Sequence, residues 1–179
     1  MNWEVQLRTN YTVTKATEEQ LQNIADELGC PLDVVPSLLR NYSWKYAGSL
    51  KVWKGHNIVP LVLRSFFASL IAGNDPITTF KANYCALWSG SIPPSNSDTT
   101  LQTETIRGIF SNRYSADNIA YLDKFRNSSE VGGQTFNEVG VFVDWTVTTD
   151  SWYLLSRILM NETMTSTETL TINVSITIW

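Results

Sequence analysis

The sequence TETLTINVSITIW, residues 167–179, has the most regular alternation of apolar and polar side chains in the protein. Apolar residues occupy every even position from Leu170 to Ile178, and neutral polar residues occupy the odd positions, beginning with Thr169. A period of two is typical of a β-strand with one buried face and one solvated face. We therefore predict a strand here whose aliphatic side seals a β-sandwich, whereas its hydroxyl-rich side faces water or another subunit.

Turn-forming clusters divide the preceding part of the chain into further strand-like runs. The clusters are GNDP, SGSIPPSNSD, SSEVGGQ and TTDS, and the runs between them are 80–88, 101–113, 117–126, 134–143 and 152–160. Short strands at this spacing, with no helices between them, indicate a mainly β protein with an antiparallel, jelly-roll-like β-sandwich. TFNEVGVFV and WYLLSRILM are apolar on both faces, which predicts that they are covered on both sides, within the sandwich or by another subunit.

The first 52 residues mix element types. Residues 3–14 alternate like a strand, and Thr17 is placed as the N-cap of a helix that ends at Gly29. PLDVVPSLLRNY then indicates a further helical turn. Since no single pattern continues through this part, we expect residues 1–52 to form a mixed α/β N-terminal extension that docks on a neighbouring protein.

A short helix is predicted within residues 58–73, with Pro60 in its first turn and Gly73 after its last. We expect it to pack on the sandwich, which would then comprise residues 53–179. Its apolar run is interrupted by Arg64 and is shorter than the roughly 20 residues that span a bilayer. No membrane segment is therefore expected.

Composition and charge exclude several classes of function. Hydrophobic residues make up 43% of the chain and aromatic residues 12%, as in a globular protein, whereas charged residues make up only 17%. The formal charge of −4, without a basic run, argues against a nucleic-acid partner. The N-terminus lacks the features of a signal peptide, so we expect synthesis in the cytoplasm. Cys30 and Cys85 are expected to be two buried thiols rather than a disulfide.

Catalytic and metal-binding patterns are sparse. His56 is the only histidine, and no nucleophile motif surrounds it. A metal site would have to combine this histidine with scattered carboxylates. The sequence also has no glycine-rich phosphate loop and no dinucleotide fingerprint. We therefore expect neither an enzyme nor a cofactor or metal.

Glu138 is the most unusual acid, because strand alternation places it between Phe136 and Gly140 on an apolar face. A buried carboxylate needs a charged partner or a proton. Arg107 and Arg157 lie in strand-like runs from which they could reach it. We predict a structural ion pair that fixes strand order, with a catalytic role for Glu138 as the alternative.

Four residues form a candidate sugar site. Asp144 and Asp150 flank the turn in VDWTVTTDSW, and Trp145 and Trp152 lie beside them. Two carboxylates are sufficient for glycoside hydrolysis, and indole rings pack on sugar faces. A hairpin loop with solvated acids and packed aromatics is the alternative, and we favour it.

Other tryptophans are candidate anchors of a protein–protein interface, where this residue type is enriched. They are Trp3, Trp44, Trp53 and Trp179. The large terminal Trp179 either packs on its own domain or is offered to a partner.

Six phrases follow one another in the last two-thirds of the chain. They are HNIVPLVLRSFFASLIAGND, ALWSGSIPPSNSDTTL, TETIRG, SSEVGGQTFNEVGVF, LLSRILM and TSTETLTINVSITIW. In this order they resemble bacteriophage virion proteins related to tail-collar fibre N-terminal domains, over residues 53–179. Trp88 departs from the pattern, where the family has a small residue, as does Thr103, where it has Asn.

The resemblance implies a mostly β domain that fits into a virion without a catalytic site. Its charged phrase places Glu104 near Arg107 and adds Glu104 to the candidates for structural ion pairs. In the fibre proteins a shaft follows this domain, whereas this sequence ends at Trp179. We therefore expect a tail, neck-collar or baseplate adaptor, a fibre-attachment protein or a capsid-decorating protein. Other virion proteins and further copies of the chain are the expected partners, and a carbohydrate-binding or glycan-cleaving host-attachment module is the alternative.

Overall fold

The computed structural model describes residues 7–57, 68, 72, 81–95, 97–101, 103–143 and 153–178. The strands are β1 (Leu7–Thr17), β2 (Lys51–His56), β3 (Ala82–Trp88), β4 (Glu104–Ile109), β5 (Asn112–Ala116), β6 (Ile119–Arg126), β7 (Thr135–Val143), β8 (Tyr153–Thr163) and β9 (Glu168–Ile178). The helices are α1 (Glu18–Leu28), α2 (Val35–Tyr42) and α3 (Ser128–Val131), and a 3-10 turn (Leu32–Val34) precedes α2.

Two antiparallel sheets form a sandwich. The first sheet has the strand order β2-β1-β9-β6-β5, and the second has the order β4-β3-β7-β8. The aliphatic side of β9, including Ile172 and Val174, packs in the core between the sheets with Val13 of β1 and Val139 and Val141 of β7. The predicted mainly β, antiparallel sandwich is therefore confirmed, and so is the role of the aliphatic side of β9.

The polar side of β9 is covered by the chain itself from Thr169 to Asn173, so the expectation that it faces water or another subunit was wrong there, whereas Ser175 and Thr177 are only partly buried. Thr169, Thr171 and Asn173 are only 1–2% exposed. The Thr169 hydroxyl donates to the carbonyl of Ala16 at 2.9 Å, and the Asn173 amide donates to the carbonyl of Pro36 at 3.0 Å. Neutral polar residues suit this face because each can satisfy its hydrogen bonds locally, whereas a charge would need a partner.

A layer of two helices provides this cover. Thr17 caps α1 in a reciprocal capping box with Gln20, and Gly29 ends the helix at φ 63°, as predicted from the sequence. Leu21 of α1 packs with Leu39 of α2 in a second apolar cluster, which also includes Ala16 from the outward-facing side of β1. The helices therefore bury the first sheet from outside, and this region has three layers.

The division of the chain at residues 52 and 53 does not follow the sheets. β1 lies between β2 and β9, and it pairs with β9 along its whole length, from Leu7 opposite Ile178 to Thr17 opposite Glu168. The proposed boundary also falls within β2. The predicted extension, residues 1–52, therefore supplies an internal strand of the sandwich. Without β1, one edge of β9 would lose its full set of ladder hydrogen bonds.

The second sheet is also covered on its outer face. Trp88, Phe142 and Leu154 form a third cluster there with Leu101, which follows β3 in the connection to β4. Phe136 does not share this face as alternation predicted, since a register shift between Phe136 and Glu138 turns it into the main core. Such a bulge changes the side to which a residue points, and strict alternation cannot anticipate it.

Two further sequence-based boundaries change in the structure. The run predicted over 101–113 contains two strands, β4 and β5, because Phe110 and Ser111 form the turn between them. The predicted helix at 58–73 lies outside the described residues except for Ala68 and Ala72. The amide of Ala72 donates to the carbonyl of Ala68 at 3.0 Å, which is the spacing of an α-helical turn.

Candidate functional site

Glu138 and Arg157 meet on the outer face of the second sheet. Glu138 lies on β7 and is fully buried, and Nη2 of Arg157 on β8 lies 3.5 Å from its Oε1. Nε of Arg157 also lies 3.3 Å from Oδ2 of Asp98, and its Nη2 donates to the carbonyl of Ile92. One arginine thus ties two carboxylates and the connection between β3 and β4 to the sheet.

The charge balance of this cluster bears on its chemistry. Both carboxylate oxygens of Glu138 lack a hydrogen-bond partner, and burial raises the pKa of Glu138 despite the opposing charge of Arg157. The carboxylate of Asp98 raises that pKa further. Glu138 therefore retains a proton more readily than an ordinary glutamate.

Arg107 does not reach Glu138 but pairs with Glu104 on the same strand. Nε of Arg107 donates to Oε1 of Glu104 at 2.7 Å, and both side chains are almost fully buried. The guanidinium carbon also lies 4.3 Å from the ring centre of Phe142. The four ion-pair candidates therefore form two separate pairs, and both are parts of the scaffold of the second sheet.

The four residues of the predicted sugar site, Asp144, Trp145, Asp150 and Trp152, all lie outside the described residues. Trp3 and Trp179 lie outside them as well. Of the remaining interface candidates, Trp44 is 71% exposed after α2, whereas Trp53 packs against the main core beneath Lys51, whose Nζ lies 4.8 Å from the ring centre. Of these two described tryptophans, Trp44 therefore presents most of its ring to solvent, whereas Trp53 is partly buried.

His56 and the cysteines do not form a reaction centre in the described part of the chain. His56 lines a cleft of about 570 Å³ with Arg8 and Arg157, and no carboxylate, hydroxyl or thiol is among the described residues of that cleft. Cys85 is buried, and burial raises the pKa of its thiol to about 12, whereas Cys30 is partly exposed rather than buried as expected. Within the described ranges no group of three or more potential ligands is placed to hold a metal ion.

A buried polar cluster on the outer face of the first sheet was missed by sequence reasoning. Asp123 of β6 is 1% exposed, and its Oδ1 accepts from Nη2 of Arg40 on α2 and, at 2.7 Å, from the amide of Asn173 on β9. Arg40 also donates to the carbonyl of Val174 at 2.8 Å and to that of Leu122 at 3.0 Å. This cluster joins the helical layer to two strands at once.

The sequence contains one signal for this cluster. Alternation in IAYLDKFR places Asp123 on one face with Tyr121 and Phe125, so that an acid stands between two aromatic residues. An acid in that position indicates a buried carboxylate with a partner. The partner itself could not be inferred, because Arg40 lies 83 residues away in the chain.

Comparison with known proteins adds no further constraint. No family model, no curated protein and no solved structure matches this chain. Over the described ranges, the helices are too short or too polar for any of them to cross a bilayer.

Proposed function

We propose that this protein is a non-enzymatic structural component of a bacteriophage virion that acts by protein–protein assembly. Its place would be that of a tail, neck-collar or baseplate adaptor, of a fibre-attachment protein or of a capsid-decorating protein. Its partners would be other virion proteins and further copies of the same chain.

One observation carries the proposal. Five of the six ordered phrases that resemble virion proteins fall on β3, β4, α3, β7, β8 and β9, and their charged residues are used within the fold, whereas the first phrase lies mostly outside the described residues. Glu104 pairs with Arg107, and Arg157 contacts Glu138, in each case on the covered outer face of the second sheet. A pattern whose charged residues hold a scaffold together favours an architectural role over a reaction centre.

The outer edge of the first sheet supports assembly. β5 is an edge strand, and all five of its residues are exposed. Among the described strands its backbone pairs only with β6, so its other side offers donors and acceptors to a further strand. Tyr114 at its centre is 46% exposed, and Ile109 before it is 51% exposed. We assign contact between copies to this edge.

Immunogold electron microscopy tests the virion assignment. An antibody raised against the purified chain should label particles of the phage that encodes it, at the head, the neck or the tail. The site of labelling would at the same time separate the decorating role from the adaptor roles. Particles without label, from a lysate in which the antibody detects the free protein, would refute the proposal.

Light scattering coupled to size exclusion tests the assembly edge. The mass of the native chain should increase with concentration, and Tyr114→Lys should return it to the monomer, because a charge on an edge strand opposes pairing. Asn41→Lys, on the exposed side of α2, is the matched control and should assemble like the native chain. A strictly monomeric native chain would contradict self-assembly.

A further inference from the structure

A cleft of about 520 Å³ lies between the helical layer and the hairpin of β5 and β6. The 3-10 turn and the start of α2 form one wall. The other wall consists of Ser111, Asn112, Asp123 and Phe125. Its size falls within the roughly 300–1,000 Å³ of small-molecule sites, which combine apolar walls with a few placed polar groups. The cleft is independent of the virion assignment, since no charged residue of the resembling phrases lines it.

Asp123 lines this cleft and supplies the group that points to a ligand. Its Oδ1 is occupied by Arg40 and Asn173, but its buried Oδ2 has no hydrogen-bond partner among the described residues. A buried carboxylate oxygen without a donor is destabilising, because it has lost water and gained no hydrogen bond in return. A hydrogen-bond donor on a ligand bound in the cleft would supply the partner that this oxygen lacks.

The charges around the cleft select an uncharged donor. The ion pair with Arg40 already neutralises Asp123, so an ammonium group there would meet the guanidinium as well as the carboxylate. Asp33 at the rim is exposed and disfavours an anion. A hydroxyl group meets neither objection, because it donates a hydrogen bond without bringing a charge.

Further polar side chains line the cleft together with Asp123. Asn112 lies directly opposite Asp123 in the β5–β6 ladder and also lines the cleft. The Ser111 hydroxyl oxygen accepts from the amide of Phe125 at 3.2 Å, which leaves its proton available to donate outward. Ser37 adds a hydroxyl from the opposite wall. The lining therefore offers both acceptors and donors to one small ligand.

The apolar walls and the neighbouring tyrosines suit a sugar ring. Leu32, Pro36 and Phe125 present carbon surface, on which the C–H face of a pyranose packs. Two pairs further along the ladder, Tyr114 and Tyr121 stack with their ring centres 4.9 Å apart. Alternation places both tyrosines on the same face as Asp123.

We propose that this cleft binds a neutral pyranose sugar, with a ring hydroxyl donating to Oδ2 of Asp123, Asn112 bridging a second hydroxyl, and the ring resting on the apolar wall. The site is distinct from the residues at 144–152 that the sequence indicated. It requires no catalytic chemistry, because Asp123 is held by its partners and serves only as an acceptor.

NMR titration of the full chain tests the site with four probes: D-glucose, D-galactose, N-acetyl-D-glucosamine and, as an acyclic control, glycerol. At least one sugar should shift the backbone amide signals of Asn112 and Ser37 in a saturable way, and glycerol should not. No saturable shift with any of the three sugars would overturn the proposal. Equal binding of glycerol would also overturn it, because the ring would then contribute nothing.

Two variants and one control locate the binding. Asn112→Ala should weaken the affinity by about tenfold, as expected for one hydrogen bond to the ligand. Ser37→Phe should abolish binding by filling the cleft. Asn41→Ala, an exposed asparagine on α2 outside the cleft, should bind like the native chain. If Ser37→Phe fails to fold, Asn112→Ala decides alone, since Asn112 is exposed; native affinity in Asn112→Ala would refute the site.

Discussion

Replacing Arg40 with methionine tests whether the helical layer is an integral part of the sandwich. Methionine keeps most of the length and the apolar contacts of the side chain but removes its charge and its donors. Asp123 would then keep only the amide of Asn173 as a partner while remaining almost fully buried. The carbonyls of Val174 and Leu122 would each lose a donor as well.

The expected loss is large for a single substitution. Removing one partner of a buried ion pair costs about 3–5 kcal/mol of unfolding free energy, because a desolvated charge is left behind. For a chain of this size, 1 kcal/mol corresponds to about 2–4 °C in Tm, so the midpoint should fall by about 6–20 °C. Thermal and urea unfolding at neutral pH, followed by circular dichroism, measure both quantities.

Two comparisons make the Arg40 experiment decisive. The double variant Arg40→Met with Asp123→Asn should recover part of the loss, because the uncompensated charge is gone. Lys45→Met removes a pair with Glu27 in which both side chains are largely exposed, and it should leave the midpoint unchanged. A loss below about 1 kcal/mol for Arg40→Met, as in a surface pair, would refute the buried cluster and the docking of α2 on the sheet.

Three further predictions follow from the fold and its core. A chain restricted to residues 53–179 should show no cooperative unfolding transition, because β1 would be missing from the interior of the first sheet. A sharp urea transition would instead show that residues 53–179 fold as a separate domain. Gly132→Ala should lower the unfolding free energy by about 1–3 kcal/mol, because its Cβ would lie 2.5 Å from the backbone oxygen of Ser128, whereas Gly48→Ala meets no atom within 4 Å and should be neutral or slightly stabilising. Burial raises the pKa of Glu138, so the folded state holds a proton that the unfolded chain has already released, and stability should decrease as pH rises above the ordinary glutamate range. Urea midpoints from about pH 4 to about pH 8 should therefore depend less on pH in Glu138→Gln, and an identical slope in both chains would contradict the assignment.

Local patterns were sufficient for most of the individual elements. The alternation in TETLTINVSITIW identified β9 and its core-facing side, and Thr17 and Gly29 marked the two ends of α1. These features depend on neighbours within a few residues, since side-chain period, capping and left-handed backbone are properties of short segments. The sandwich class also followed, because short strands between turn clusters have few other ways to bury their apolar faces.

Contacts between distant segments decided what covers each face. Alternation showed that the odd side of β9 is polar, but it could not reveal that α2 lies over it. Thr and Asn satisfy their hydrogen bonds equally well with water and with a carbonyl from another element, so their presence does not distinguish an exposed face from a covered one. Residues 1–52 were predicted to form an extension because the sequence likewise does not show which strand β1 pairs with.

Pairing of charges was likewise decided by the tertiary structure. The sequence by itself determined that Glu138 lies on an apolar strand and must be compensated, and it supplied two candidate arginines. The register of β7 with β8 brings Arg157 to it, while Arg107 turns to Glu104 on its own strand. For Asp123, the compensating Arg40 comes from a helix, and only the packing of that helix on the sheet brings it there. Residue identity and spacing in the sequence determine which charged residues need partners. Register and packing determine which partners they find, because a one-residue change in register moves a side chain to the opposite face.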